Sequence, residues 1–227
     1  MKTTMLLVAW CCTMGAWAYD FEANGIYYGI TSTVDKTVEV VAGDAQYSGD
    51  VTIPATVTYN ATTYRVTSIG EHAFYDCSSL ASIVISEGVT SIRDYAFYDC
   101  SSLVSITLPE SLTSIGWRAF YGCSSLQAIH SRAIIPPTCG TYCFYKVDQT
   151  TCVLYVPKGT LEAHKAADEW KDFENIVEEE YSGIGEVGAD SAGQAVITSC
   201  GDGIVVENLP AGTAVTVYTL SGTVVYE

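Results

Sequence analysis

The sequence predicts an α/β repeat solenoid: stacked coils of 23 residues with parallel strands, followed by a small partial β domain. Three observations predict it. The first is internal repetition. Val66-Thr67-Ser68-Ile69 recurs as Val89-Thr90-Ser91-Ile92 and as Leu112-Thr113-Ser114-Ile115. Ala73-Phe74 recurs as Ala96-Phe97 and Ala119-Phe120, and Cys77-Ser78-Ser79-Leu80 as Cys100-Ser101-Ser102-Leu103 and Cys123-Ser124-Ser125-Leu126. Residues 66–88 and 89–111 are identical at 15 of 23 positions. A fixed period of this length marks a stack of like units. The second observation is alternation: Leu103, Ile106 and Leu108 read as a strand with one buried side, and Pro109, with no N–H to give, ends the pairing. The third is a second inward set, Ile92, Ala96 and Phe97, with helical-turn spacing. One unit cannot bury both sets alone. Stacked units bury a continuous column between a sheet and an outer row of turns.

The elements follow in chain order. Residues 1–18 read as a secretory signal peptide: Lys2 gives a positive start, an apolar run follows from Met5 to Trp17, and Ala16-Trp17-Ala18 has small residues where a signal peptidase reads. The run is shorter than the roughly 20 residues a bilayer span needs. Cleavage after Ala18 removes Lys2 and no acid, taking the formal net charge from −16 to −17. Residues 19–50 suit an N-terminal β cap, with strand-like Gly25–Ile30 and Thr37–Val41. The solenoid covers 51–158. Val51-Thr52-Ile53-Pro54 repeats the strand-Pro signature upstream of the three good units. Cys143-Phe144 and Leu154-Tyr155-Val156-Pro157 repeat it downstream. About five coils are expected, with a sheet ~20–25 Å wide at ~4.8 Å per strand. Residues 159–177 are read as a C-terminal capping helix, helical over 160–173, with Thr160 as N-cap and Leu161, His164, Trp170 and Phe173 on one side. Residues 178–193, opening with Glu178-Glu179-Glu180, read as a solvated linker. Residues 194–227 hold short strands at Ala195–Thr198, Ile204–Val206, Val215–Tyr218 and Val224–Tyr226 between Gly-rich turns.

These residues resemble a known family. The unit with Val-Thr-Ser-Ile, Ala-Phe, Cys-Ser-Ser-Leu and a closing Ile-x-Leu-Pro is similar to the BspA-like leucine-rich repeats of bacterial surface proteins. Val51–Tyr59 with Tyr64–Gly70 resembles the family's lead-in, and Leu154–Gly159 with Trp170, Phe173 and Ile176 resembles its exit. The resemblance covers roughly residues 20–180. It implies a cell-surface or secreted protein, in some members one that adheres to host matrix or plasma proteins. Residues 194–227 resemble the first half of the β-sandwich sorting tail of type IX secretion. They depart from it by stopping at Glu227, without the closing strand and basic end usual there. Either a fragment or a vestige with an exposed edge strand is expected.

Composition excludes several classes. With 26 acidic and 10 basic residues, the chain lacks the basic patch that nucleic acid requires and has nothing to hold an anionic lipid surface. No direct bilayer binding is expected, and the chain is read as a monomer. There is no G-x-S-x-G, H-E-x-x-H or P-loop. The three histidines, His72, His130 and His164, stand without a nucleophile or carboxylate in a motif, and His72 occupies the position of Tyr95 and Arg118 on a turn. Cys77, Cys100 and Cys123 share one ladder position. Equivalent atoms in adjacent coils lie ~4.8 Å apart with parallel Cβ vectors, which does not suit a disulfide; buried free thiols are expected. In the irregular last coil, Cys139 pairing with Cys152 is the disulfide of choice. No catalytic residue, metal or cofactor is assigned.

What remains is surface. With Leu103, Ile106 and Leu108 inward, alternate residues of the strands face out. These are Ser82, Val84, Ser105, Thr107, Ala128, His130 and Tyr155, with Thr52 at the other end. The face reads as small, flat and nearly uncharged, without an aromatic cluster. The function expected is a secreted or cell-surface, non-catalytic, adhesin-like module whose partner is an extracellular protein or glycan. The alternative is a structural spacer or a component of an envelope assembly with no ligand of its own.

Overall fold

The computed structural model describes residues 19–180, together with the backbone of strands at 196–200, 203–207, 217–218 and 224–226. The signal segment 1–18 and residues 181–193 of the linker lie outside the described residues. The chain divides into two units, Met1–Glu180 and Tyr181–Glu227.

In the first unit, β1 (Phe21–Ala23), β2 (Ile26–Ser32) and β3 (Thr37–Val41) form an antiparallel meander. Asn24 and Gly25 turn between β1 and β2 with φ of 54° and 78°, the mirror-image turn that matches strand twist. Then come β4 (Ser48–Ile53), the hairpin β5 (Thr56–Tyr59) and β6 (Thr62–Ile69), β7 (Ser79–Ile85), β8 (Ser91–Ile92), β9 (Ser105–Leu108), β10 (Ser114–Ile115), β11 (Ala128–Ser131), β12 (Thr138–Cys139), β13 (Val153–Pro157), α1 (Leu161–Ala166) and β14 (Asn175–Glu179). One sheet runs β4-β7-β9-β11-β13-β14, parallel throughout. A second continues from β3 through β6, β8, β10 and β12, also parallel.

The sequence leads to one sheet of about five strands; the protein has six there and a second sheet besides. Ser91–Ile92 and Ser114–Ile115 form two-residue strands, too short to carry a period of two. Between the sheets runs a row of turns rather than helices. Each turn holds two left-handed residues, at His72, Tyr95, Arg118 and Tyr142 and again at Asp76, Asp99, Gly122 and Lys146. The turns are laddered too: the amides of Phe74, Phe97 and Phe120 donate to the carbonyls of Ala96, Ala119 and Cys143 in the next coil, at 2.7, 2.8 and 2.9 Å.

The core is a column. Phe74, Phe97, Phe120 and Phe144 are fully buried and stack coil on coil at centroid distances of 4.8, 5.0 and 5.5 Å. Offset stacking at such spacing is favourable beyond area burial alone. Tyr47 closes one end; Trp170 and Phe173 close the other. Cys77, Cys100 and Cys123 are free and buried, as their shared register requires. The Cys100 and Cys123 thiols donate to the carbonyls of Phe74 and Phe97, one coil back, at 3.0 and 3.1 Å.

Four expectations are corrected at the last coil. The helix stops at Ala166, because Ala167 is extended; the chain must turn there to bring Trp170 and Phe173 over the column. Thr160 stands at the N-cap position, but its hydroxyl donates to the Pro157 carbonyl (2.7 Å) and does not cap. Glu178 and Glu179 belong to β14, not to a linker: β13 offers a free edge, and Val156 and Pro157 pair with them. Cys139 and Cys152 are not joined; both are free thiols, Cys152 buried and Cys139 half-buried.

In the second unit, β15 (Val196–Cys200) pairs antiparallel with β16 (Gly203–Glu207), and β17 (Val217–Tyr218) with β18 (Val224–Tyr226).

Candidate functional site

The six-stranded sheet sets the seven candidate residues in register. Ser82, Ser105 and Ala128 form one row across β7, β9 and β11, with Asp50 and Val153 as neighbours at either end. Val84, Thr107, His130 and Tyr155 form the next, running on from Thr52 to Val177. Their strand neighbours Ile83, Ile106, Leu108, Ile129 and Leu154 are buried, so the strict alternation of the strands turns both rows outward. Val84 is 40% exposed; the others are half-buried, each flanked by the rows beside it.

The face is less uniform than the sequence suggests. His130 lies flat on Tyr155, centroids 4.4 Å apart and planes 4° apart. Its Nδ1 is 3.3 Å from Glu179 Oε2, a carboxylate that β14 brings onto this edge. At the opposite edge the Ser82 hydroxyl donates to Asp50 Oδ1 at 2.6 Å. The middle is small and neutral; both margins carry a carboxylate. Neither carboxylate was legible as part of the face, because Asp50 precedes the repeat signature and Glu179 sits in an acidic run that looks like linker.

The turn face carries what the sequence reading missed altogether. Tyr75, Tyr98, Tyr121 and Tyr145 stack in a second aromatic ladder outside the phenylalanine column, with centroids 5.0, 4.8 and 5.2 Å apart. Beside it, His72 stacks on Tyr95 at 4.9 Å. Further along, the Arg118 guanidinium lies 4.4 Å from the Trp117 ring centre and 5.7 Å from that of Tyr142. Lys146 Nζ is 4.8 Å from the Tyr121 ring centre, and contact with that side chain pushes its pKa up. The repeat itself was the signal: a tyrosine follows each Ala-Phe or Cys-Phe pair. An expectation of no aromatic cluster is therefore overturned on the turn face.

The three histidines lie apart. His72 is on a turn and His130 on the sheet, while His164 is fully buried, with Nδ1 donating to the Thr160 carbonyl at 3.1 Å. Among the described residues no group of three or more His, Cys, Asp and Glu side chains could hold a metal ion, and no helix is long and apolar enough to cross a membrane. Burial pushes the Cys77 and Cys152 thiols up to about 12 and that of Cys143 well above its ordinary value, so none is an activated nucleophile.

Residues 54–161 match the BspA type leucine rich repeat region, in six copies. No curated protein matches the chain. Among solved structures, the chain is similar to a leucine-rich repeat protein from Bacteroides ovatus, at 29% identity over 70% of this chain and 41% of that one, with a TM-score of 0.53. It is also similar to one from Bacteroides capillosus, at 26% identity over 60% of this chain and 96% of that one, with a TM-score of 0.51. The chain thus spans about two fifths of the first relative's length and nearly all of the second's. The parallel sheets, the 23-residue register and these matches agree: the fold of this chain is a repeat solenoid of BspA-like leucine-rich repeats.

Proposed function

We propose that the chain is an exported, non-catalytic binding module that works at the cell surface or beyond it, and that it takes a protein or glycan through the face of the six-stranded sheet. The observation that carries this reading is the pair of registered rows through Ser105 and Thr107. They present small, neutral side chains over several strands, with His130 on Tyr155 as an aromatic margin. A face of this kind offers wide complementarity at little desolvation cost, and a stacked aromatic pair at its margin is the type of residue that dominates interface energies. A non-catalytic reading is supported by the separation of the three histidines and by burial, which raises the Cys77, Cys143 and Cys152 thiols well above their ordinary pKa.

The test is a binding screen of the purified chain against extracellular proteins and glycans. A ligand whose binding is weakened by Thr107→Arg or His130→Ala supports the reading. A folded chain that binds nothing would move it to the spacer alternative.

A further inference from the structure

Two cations of the turn face stand apart from the rest. Arg93, Lys158, Lys165 and Lys171 each pair with a carboxylate. Arg118 and Lys146 do not: among the described residues, neither comes within ion-pair distance of an acid. What they meet is aromatic. Arg118 Cζ is 5.3 Å and Lys146 Nζ 4.8 Å from the ring centre of Tyr121, so one ring brings the two charges together. Arg118 also lies 4.4 Å from the Trp117 ring centre and 5.7 Å from that of Tyr142, and its buried Nε reaches no acceptor. Lys146 reaches the Tyr121 side chain, a contact that holds it in the charged form.

The rings around these cations are open. Trp117 is 37% exposed, Tyr142 48% and Tyr145 51%. Tyr142 and Tyr145 stand at 77° to each other, with centroids 5.7 Å apart, and so form a corner rather than a closed stack. Two carboxylates lie near. Asp99 acts on Lys146 without pairing with it, and Glu169 Oε1 accepts from the Tyr142 amide at 2.9 Å.

We propose that this corner of the turn face is a second binding site, distinct from the sheet face, and that it takes an acidic sugar: a pyranose ring against Tyr142 and Tyr145, its carboxylate on Arg118 and Lys146. A guanidinium with no acid of its own is suited to a carboxylate, and charge-assisted hydrogen bonds are the strong ones. A pyranose has apolar C–H faces and polar hydroxyls. Tyrosine matches both, with an apolar ring and a polar tip whose hydroxyl donates and accepts. An acidic peptide would engage the cations and leave the exposed rings without a partner. The formal net charge of −16 opposes an anion at long range, but physiological salt screens that beyond about 8 Å, and the two cations decide the contact.

The experiment titrates the full chain with a tetramer of galacturonic acid by calorimetry. Its methyl ester keeps the sugar and removes the charge; tetraglutamate keeps the charge and removes the sugar. The expected result is saturable binding of the tetramer, at least tenfold weaker for both comparison ligands and about tenfold weaker for Arg118→Gln and Lys146→Gln. Tyr145→Leu should weaken it about fivefold. A melting curve verifies the fold of each variant, and Lys146 and Tyr145 are exposed enough to be changed without disturbing the core. Equal binding of the ester or of tetraglutamate, unchanged binding in the folded Lys146 and Tyr145 variants, or no binding at all would overturn the proposal. It does not rest on the sheet-face reading: Thr107→Arg should bind the tetramer as the native chain does, and a loss there would place the sugar on the sheet and overturn it too.

Discussion

Tyr47 closes the aromatic column by lying against Phe74, ring centroids 4.4 Å apart. It is held there by two hydrogen bonds through one hydroxyl, accepting from the Tyr27 amide at 3.0 Å and donating to the Val41 carbonyl at 2.8 Å. The β-rich segment before the repeats thus joins the first coil both through this buried ring and through the parallel pairing of β3 with β6.

The column predicts where stability concentrates. Phe97 is fully buried between two rings of its own kind. Phe97→Ala should cost about 3–5 kcal/mol, measured by urea denaturation. Tyr98→Ala, in the outer ladder, should cost only about 0.5–1.5 kcal/mol beyond the area it buries. Equal losses would contradict a core centred on the inner column.

The β5–β6 hairpin turns through Asn60 and Ala61, both left-handed at φ 48° and 60°. Such a turn favours glycine at its second position, and alanine there is strained. Ala61→Gly should therefore raise stability by about 0.5–1 kcal/mol, against the entropy glycine adds to the unfolded chain. Thermal melting of the two proteins checks it, and a lower midpoint for the glycine variant would count against the turn.

Burial pushes the His164 imidazole below its ordinary pKa; its Nε2 has no hydrogen-bond partner. The unfolded chain binds the proton more readily, so the fold keeps the neutral ring. This contribution is fully present above about pH 6.5 and is lost as pH falls through the folded pKa. As pH falls below about 6.5, the melting temperature should fall faster for the native protein than for His164→Gln. Parallel curves would show that His164 does not sense this range.

Thiol accessibility separates the cysteines. Cys77, Cys100, Cys123, Cys143 and Cys152 are buried, and Cys139 alone of the described cysteines is half-buried. Treating native protein with an alkylating reagent, then mapping peptides by mass, should find Cys139 labelled first and the ladder cysteines only after denaturation. Early labelling of Cys100 would refute its place in the stack.

Much of this architecture is legible in the sequence, for a physical reason. A 23-residue period brings equivalent side chains together coil after coil, so Phe97 and Cys100 could be placed inside from repetition alone, and Thr107 outside from alternation with Ile106 and Leu108. What escaped depends on geometry that no period encodes. Of the two left-handed positions in each turn, the second is marked by Asp76, Asp99 and Gly122, but the first is filled by His72, Tyr95, Arg118 and Tyr142, which share no residue type that would mark it. The second sheet escaped because two residues cannot show alternation. Thr160–Phe173 has helical spacing, yet capping the column required the chain to leave the helix after Ala166. Glu179 joined the sheet because β13 had an unpaired edge, a property of its neighbour and not of its own sequence.

The central claim is that a ligand is read by the rows through Ser105 and Thr107. The direct measurement is a titration of one ligand from the screen against three proteins: native, Thr107→Arg, and Thr113→Arg as a control at an exposed position just before β10. The account predicts at least tenfold weaker binding for Thr107→Arg, because an arginine there lifts the ligand off both rows, and native affinity for Thr113→Arg. Native affinity for Thr107→Arg in a folded protein, or an equal loss in both variants, would contradict it.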